Sequence, residues 1–203
     1  MRFVLTVAAI AIAAVAATAR PSAQQRAAGP TYDAAGELQR PTDYREWVFL
    51  SAGLDMTYGP AATELNADRQ QLFNNVFVTR DAYRAFMNTG RWPDQTMFVL
   101  EVRRAEANVS INNRGRTQGA LAALEAAVKD DKRYRDKDGW GYFTFGNGSK
   151  ATATPLGPEA RCNACHAANT AVENTFVQFY PELFAVAKDK GTVKASYDPA
   201  RKP

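Results

Sequence analysis

Thr96-Met97-Phe98-Val99-Leu100-Glu101-Val102-Arg103 is the stretch on which the fold turns. Its β-branched and aromatic residues crowd a helix but pack well on a pleated surface, so it reads as a strand. Alternation puts Phe98, Leu100 and Val102 on one face and Met97, Val99, Glu101 and Arg103 on the other.

Upstream, Phe73-Asn74-Asn75-Val76-Phe77-Val78 predicts a second, shorter strand. Thr79 can cap a helix over residues 80–88 whose apolar face holds Tyr83, Phe86 and Met87, and Gly90 can stop it. Earlier still, Tyr44, Trp47 and Leu50 lie three apart after Pro41 and predict an amphipathic helix, ended by Gly53 and by the Gly59-Pro60 pair.

Downstream, residues 118–129 carry Leu121, Leu124 and Val128 at helical spacing among alanines, and propensity alone favours a helix. Gly139-Trp140-Gly141-Tyr142-Phe143-Thr144-Phe145-Gly146 predicts an aromatic strand, with Trp140, Tyr142 and Thr144 facing one way and Phe143 and Phe145 the other. In the tail, Phe176, Phe179, Leu183 and Val186 come near helical spacing, but Pro181 divides the run into a turn and a shorter helix. Strands alternating with a few helices, and no internal repeat, give an α+β domain.

The first residues are a charged Arg2 followed by a short apolar run, and Ala17 and Ala19 fit a signal-peptidase site. We therefore expect a cleaved signal peptide over 1–19, a flexible leader over 20–40 rich in Ala, Gln, Pro and Gly, and a single domain over 41–203. Export places that domain in the periplasm, with no membrane contact after cleavage, because the apolar run is shorter than the ~20 residues that span a bilayer. The formal charge is +4, and basic residues form no run longer than Arg103-Arg104. Nucleic-acid binding needs clustered positive charge, so no nucleic-acid partner is expected.

The chain's single histidine follows directly on its second cysteine: Cys162-Asn163-Ala164-Cys165-His166. This spacing attaches c-type haem. Two thiols separated by two residues reach the two vinyl groups on one porphyrin edge, and the adjacent imidazole turns beneath the iron. One covalent haem c, held through two thioethers with His166 as metal ligand, is the expected cofactor. A thioredoxin-like pair, a structural disulfide and a zinc site are the alternatives. The first wants a strand-to-helix approach where Thr154-Pro155-Leu156-Gly157-Pro158 reads as a loop. The second ignores the adjacent histidine, and the third lacks a fourth ligand.

With His166 used, a second histidine ligand within the subunit is excluded. Methionine ligation could come only from Met56, Met87 or Met97, none of which lies in the tail after the motif, and Met87 and Met97 suit a core role. An open sixth position is therefore expected, and an open iron binds or transforms a small ligand.

The chain resembles the cytochrome P-460 family, which includes the cytochromes called c-prime-beta. The similar stretches are Tyr44-Arg45-Glu46-Trp47-Val48-Phe49, Asn75-Val76-Phe77-Val78, Ala82-Tyr83, Thr89-Gly90-Arg91-Trp92-Pro93-Asp94-Gln95-Thr96 and the strand ending at Glu101. They resume at Val128-Lys129-Asp130, Gly139-Trp140-Gly141-Tyr142-Phe143, the haem motif and Phe176-Val177-Gln178-Phe179-Tyr180-Pro181. The resemblance implies a mainly antiparallel β-sheet with peripheral helices, haem packed against the sheet, a five-coordinate iron and a homodimer. It also implies a strand rather than a helix over 118–129. One branch of such a family oxidises hydroxylamine and cross-links its haem to a lysine; another binds gases such as nitric oxide. The cross-linking lysine belongs to the region that is here residues 97–103, which contains none.

Phe98 is the candidate distal wall, with Phe77 as a second wall and Trp140 against the porphyrin edge. Glu101 is the candidate catalytic acid–base if it faces the haem. Arginines at 103, 104, 114 and 116 are candidate propionate partners. The expected function is a periplasmic mono-haem c-type cytochrome that binds or redox-transforms a small nitrogen-oxide ligand. An electron-transfer cytochrome, served by a redox partner protein, and a hydroxylamine-oxidising enzyme are the alternatives.

Overall fold

Strand β4 (Met97–Glu106) is the middle of a five-stranded antiparallel sheet, flanked by β3 (Leu72–Val78) and β5 (Thr117–Lys129). Strand β2 (Val48–Leu54) closes one edge and β6 (Trp140–Thr144) the other, giving the order β2-β3-β4-β5-β6. The computed structural model describes residues 29–56 and 70–200. The expected signal peptide and the Gly59-Pro60 pair lie outside them.

Helix α1 (Arg80–Thr89) follows β3, starts after Thr79 and ends on Gly90, whose φ of 70° is the left-handed conformation that glycine adopts freely. Helix α2 (Cys162–Asn169) and helix α3 (Pro181–Asp189) follow the sheet in sequence. A two-stranded ribbon pairs β1 (Leu38–Gln39) with β7 (Thr152–Ala153). The architecture is α+β, with a dominant antiparallel sheet and peripheral helices.

Register assigns the two sheet faces. Phe98 pairs with Val78 and Ala127, and Ala127 with Tyr142; one pair along, Leu100 faces Val76 and Glu125, and Glu125 faces Thr144. This face packs with Phe86, Trp92, Trp140, Val177 and Leu183 in one apolar cluster that Cys162 adjoins. The opposite face carries Phe77, Met97, Val99, Leu124 and Val128, packed with Leu38, Tyr44, Trp47, Phe143 and Phe145.

Four expectations need correction. The helix over 44–50 is one 3-10 turn (Tyr44–Glu46) running into β2. A helix of seven residues forms too few hydrogen bonds to offset nucleation, whereas Val48 and Phe49 gain a full ladder against β3. Gly53, read as a terminator, lies inside β2, where the Met56 side chain occupies the space a Cβ would take.

Residues 118–129 form a strand, as the family resemblance implied and propensity did not. Pairing with β4 on one side and β6 on the other satisfies the backbone and overrides the alanine content. The leader does not run to Arg40, because Leu38 is fully buried in the core and Arg40 donates its backbone N–H to Ala151. The haem motif forms about the first one and a half turns of α2.

Candidate haem site

Positions 162, 165 and 166 are three and four residues apart on α2, so Cys162, Cys165 and His166 share one side of the helix. Both thiols are free and partly buried. Among the described residues no three His, Cys, Asp or Glu side chains gather as metal ligands, so the zinc alternative gains no support. Burial raises the Cys162 thiol above its usual range, with the Glu125 charge contributing.

His166 Nδ1 lies 2.8 Å from the Asn174 carbonyl oxygen. A carbonyl only accepts, so Nδ1 carries the proton and Nε2 keeps its lone pair. Burial lowers the imidazole's proton affinity; the Asn174 carbonyl opposes this and the Lys194 charge reinforces it. The ring is thus held in the neutral form that ligates a metal. This carbonyl is the outer-shell acceptor that fixes a ligating histidine's tautomer and orientation. Tyr142 and Phe176 hold the ring from the sides, at centroid distances of 4.5 and 4.6 Å.

The segment presenting Asn174 is itself anchored. Trp92 Nε1 donates to Thr175 Oγ1 at 2.8 Å, and Lys129 Nζ bonds Glu173 Oε2 at 3.0 Å and the Trp92 carbonyl at 2.8 Å. At the start of α2, Asn163 Nδ2 lies 3.4 Å from the Trp140 carbonyl, tying the residue between the cysteines to β6. Two free thiols and a neutral imidazole with Nε2 unpaired, on one helix side, are the donor set that covalent haem c requires, and the residues fit it.

Of the candidate pocket residues, Phe98 and Trp140 lie together, with ring centroids 6.0 Å apart, in the cluster that Cys162 adjoins. Phe77 does not join them: it lies on the opposite face, edge-on to Tyr44 at 5.4 Å. Glu101 is on that far face too, fully buried. It accepts hydrogen bonds from Tyr44 Oη and Arg45 at 2.5 Å each, from Asn75 Nδ2 at 3.3 Å and from Arg103. Arg103 is thereby committed to Glu101. Strand alternation explains both departures, since 77 and 101 have the opposite parity from Val78 and Phe98 in their own strands.

Burial pushes the Glu101 carboxyl upward, but the bonds from Tyr44 and Arg103 and the charges of Arg103 and Arg45 outweigh it, and its pKa is lowered. Its stabilising contribution is full above the unfolded carboxylate value near ~4.3 and is lost as pH falls through the lower folded value. Glu101→Ala is expected to reduce unfolding free energy by about 2–4 kcal/mol in denaturant titrations at pH 7. The spectrum of the haem-loaded protein stays unchanged, whereas a spectral shift would place Glu101 at the haem.

Met97 points into the far core, while Met87 packs on α1 against the near cluster. No sequence motif marks Glu125. This acid sits between Ala123 and Ala127 on the face shared with Leu100 and Phe98, and burial alone raises its pKa. No side chain among the described residues pairs with its carboxylate. An acid in an alanine- and leucine-rich run is the signal that finds it, once the run is read as a strand.

Comparison with curated proteins finds no match to the chain. The family model for cytochrome P460 matches residues 41–177. That span takes in the whole sheet and the haem motif, and the chain belongs to the cytochrome P460 family.

Proposed function

We propose that the protein is a mono-haem c-type cytochrome that oxidises a small nitrogen compound of the hydroxylamine type, with Glu125 as the proton acceptor. Cys162 and Cys165 would hold the haem and His166 its iron, with the porphyrin against the sheet face of Phe98, Leu100 and Trp140. When bound, the haem supplies an iron site for the nitrogen ligand and a path for electrons to an external one-electron acceptor.

Glu125 is the observation that carries the reading. Oxidising hydroxylamine to nitric oxide releases as many protons as electrons, so the site needs a base. A carboxylate whose pKa is raised by burial takes up a proton more readily near neutral pH than an ordinary one. The apolar side chains of Phe98, Leu100 and Ala127 beside it favour a small neutral molecule over an anion.

A second reading, reversible binding of nitric oxide, is favoured by a different observation: residues 97–103 offer Phe98, Leu100 and Val102 and no amine to the near face. The expected periplasmic location, the homodimer and the redox partner protein belong to this proposal. Among the described residues no helix is long and apolar enough to cross a membrane.

Carbon monoxide distinguishes ligand chemistry from plain electron transfer. The ferrous holoprotein is expected to be high-spin and to change its absorption spectrum at stoichiometric carbon monoxide. Hydroxylamine is expected to reduce an added one-electron acceptor catalytically. A low-spin ferrous spectrum indifferent to carbon monoxide would overturn the reading, and gas binding without turnover would favour the second.

A further inference from the structure

The chain continues past residue 177, where the family match ends, into α3 and a tail that returns to the haem helix. This tail is packed in place. Val193 and Tyr197 join the near-face cluster, Phe184 and Tyr197 meet edge-to-face at 5.9 Å, and Thr192 sits against Gly90 at the end of α1. Lys194 is thereby carried to the C-terminal turn of α2.

There it makes three bonds. Its backbone N–H donates to the Ala171 carbonyl at 2.8 Å. Its Nζ donates to the Ala167 carbonyl and to Thr170 Oγ1, each at 2.9 Å. The Thr170 hydroxyl lies 2.5 Å from the His166 carbonyl and 2.8 Å from that of Glu173, so it links the axial residue to the segment that presents Asn174. Ala167 and Thr170 end the helix that begins with Cys162, and an ammonium at a helix C-terminus complements the carbonyls left free there.

We propose that Lys194 is a positioning residue for the axial histidine: it fixes the last turn of α2, and its charge raises the reduction potential of the bound haem. This rests on the haem reading given under Proposed function. The sign follows from electrostatics. Reduction lowers the positive charge at the iron, so a fixed cation nearby favours the reduced state. Asp138, the acid that opposes Lys194, tempers the effect and does not cancel it, since Lys194 still acts on His166.

The test is a spectroelectrochemical titration of the haem-loaded full chain, as wild type and as K194M, K194Q and K194R. K194M and K194Q are expected to lower the reduction equilibrium constant about three- to tenfold, or about 30–60 mV at 59 mV per tenfold for a one-electron couple. K194R keeps the charge and is expected to stay within about twofold of wild type. K194Q retains an amide donor for Ala167 and Thr170, so it reads the charge alone and decides the matter if K194M fails to assemble. Haem-loaded K194Q at the wild-type potential would overturn the inference. So would loss of haem from K194R as well as K194Q, because the role would then be purely structural. Wild-type protein without covalent haem would overturn the haem reading itself, an outcome distinct from either.

Discussion

Glu125→Gln is expected to lower hydroxylamine turnover by about 10²–10⁴-fold, the usual span for loss of a general base, while haem attachment and carbon monoxide binding stay as in wild type. Gln is nearly isosteric and cannot accept the proton, so the change isolates proton transfer. Stability is expected to move the other way. The pKa of Glu125 is raised by burial, so the unfolded chain surrenders this proton at a lower pH than the folded one does. Folding stability therefore falls as pH rises from the ordinary carboxylate value through the raised folded value. Gln removes that loss, and the variant is expected to melt higher than wild type at pH 7 and no higher at pH 4. A gain in stability paired with a loss of activity is what a residue retained for chemistry shows. Unchanged turnover would remove Glu125 from the mechanism and leave gas binding as the better account.

Replacing Cys162 and Cys165 together by Ser is expected to abolish covalent haem and, with it, nearly all turnover. The physical ground is the thinness of what would remain. His166 Nε2 and the apolar face of Phe98, Trp140 and Tyr142 could hold the porphyrin only reversibly, and acidified organic solvent would extract it. Single variants are expected to retain one thioether and migrate with haem through denaturing electrophoresis. Haem that stays with the double variant under those conditions would place the covalent link elsewhere in the chain.

Part of the sheet was legible from sequence because two of its strands, the central β4 and the edge strand β6, say the same thing at every level. Residues 97–103 and 140–144 are rich in β-branched and aromatic side chains and alternate cleanly, so propensity and pattern agree. Strand β5 was not legible by propensity: its alanines favour a helix locally, and the ladders to β4 and β6 that reverse this come from residues far away in sequence. The same holds for residues 48–50, whose pairing with β3 outweighs a local helical spacing.

The site divides along the same line. Cys162, Cys165 and His166 are adjacent in sequence and announce themselves as a motif. Which side chains share the sheet face beside them depends on register, and register is fixed only when the strands pair. Phe77 was therefore grouped with Phe98 although the ladder pairs it with Val99 on the other face, and Glu101, read on the face opposite Phe98, was a candidate only if that face met the haem. Asn174 contributes a backbone carbonyl, which no side-chain pattern can reveal. Lys194 reaches α2 only because α3 folds the tail back.

Trypsin cuts after Arg161 and Lys188 and releases residues 162–188 as one peptide that contains both cysteines and the histidine. Its mass, taken from protein expressed together with a haem-attachment system, tests the central claim directly. The account predicts this peptide carrying one haem through two thioethers and no haem on any other peptide. Recovery of the bare peptide with two free thiols would contradict it.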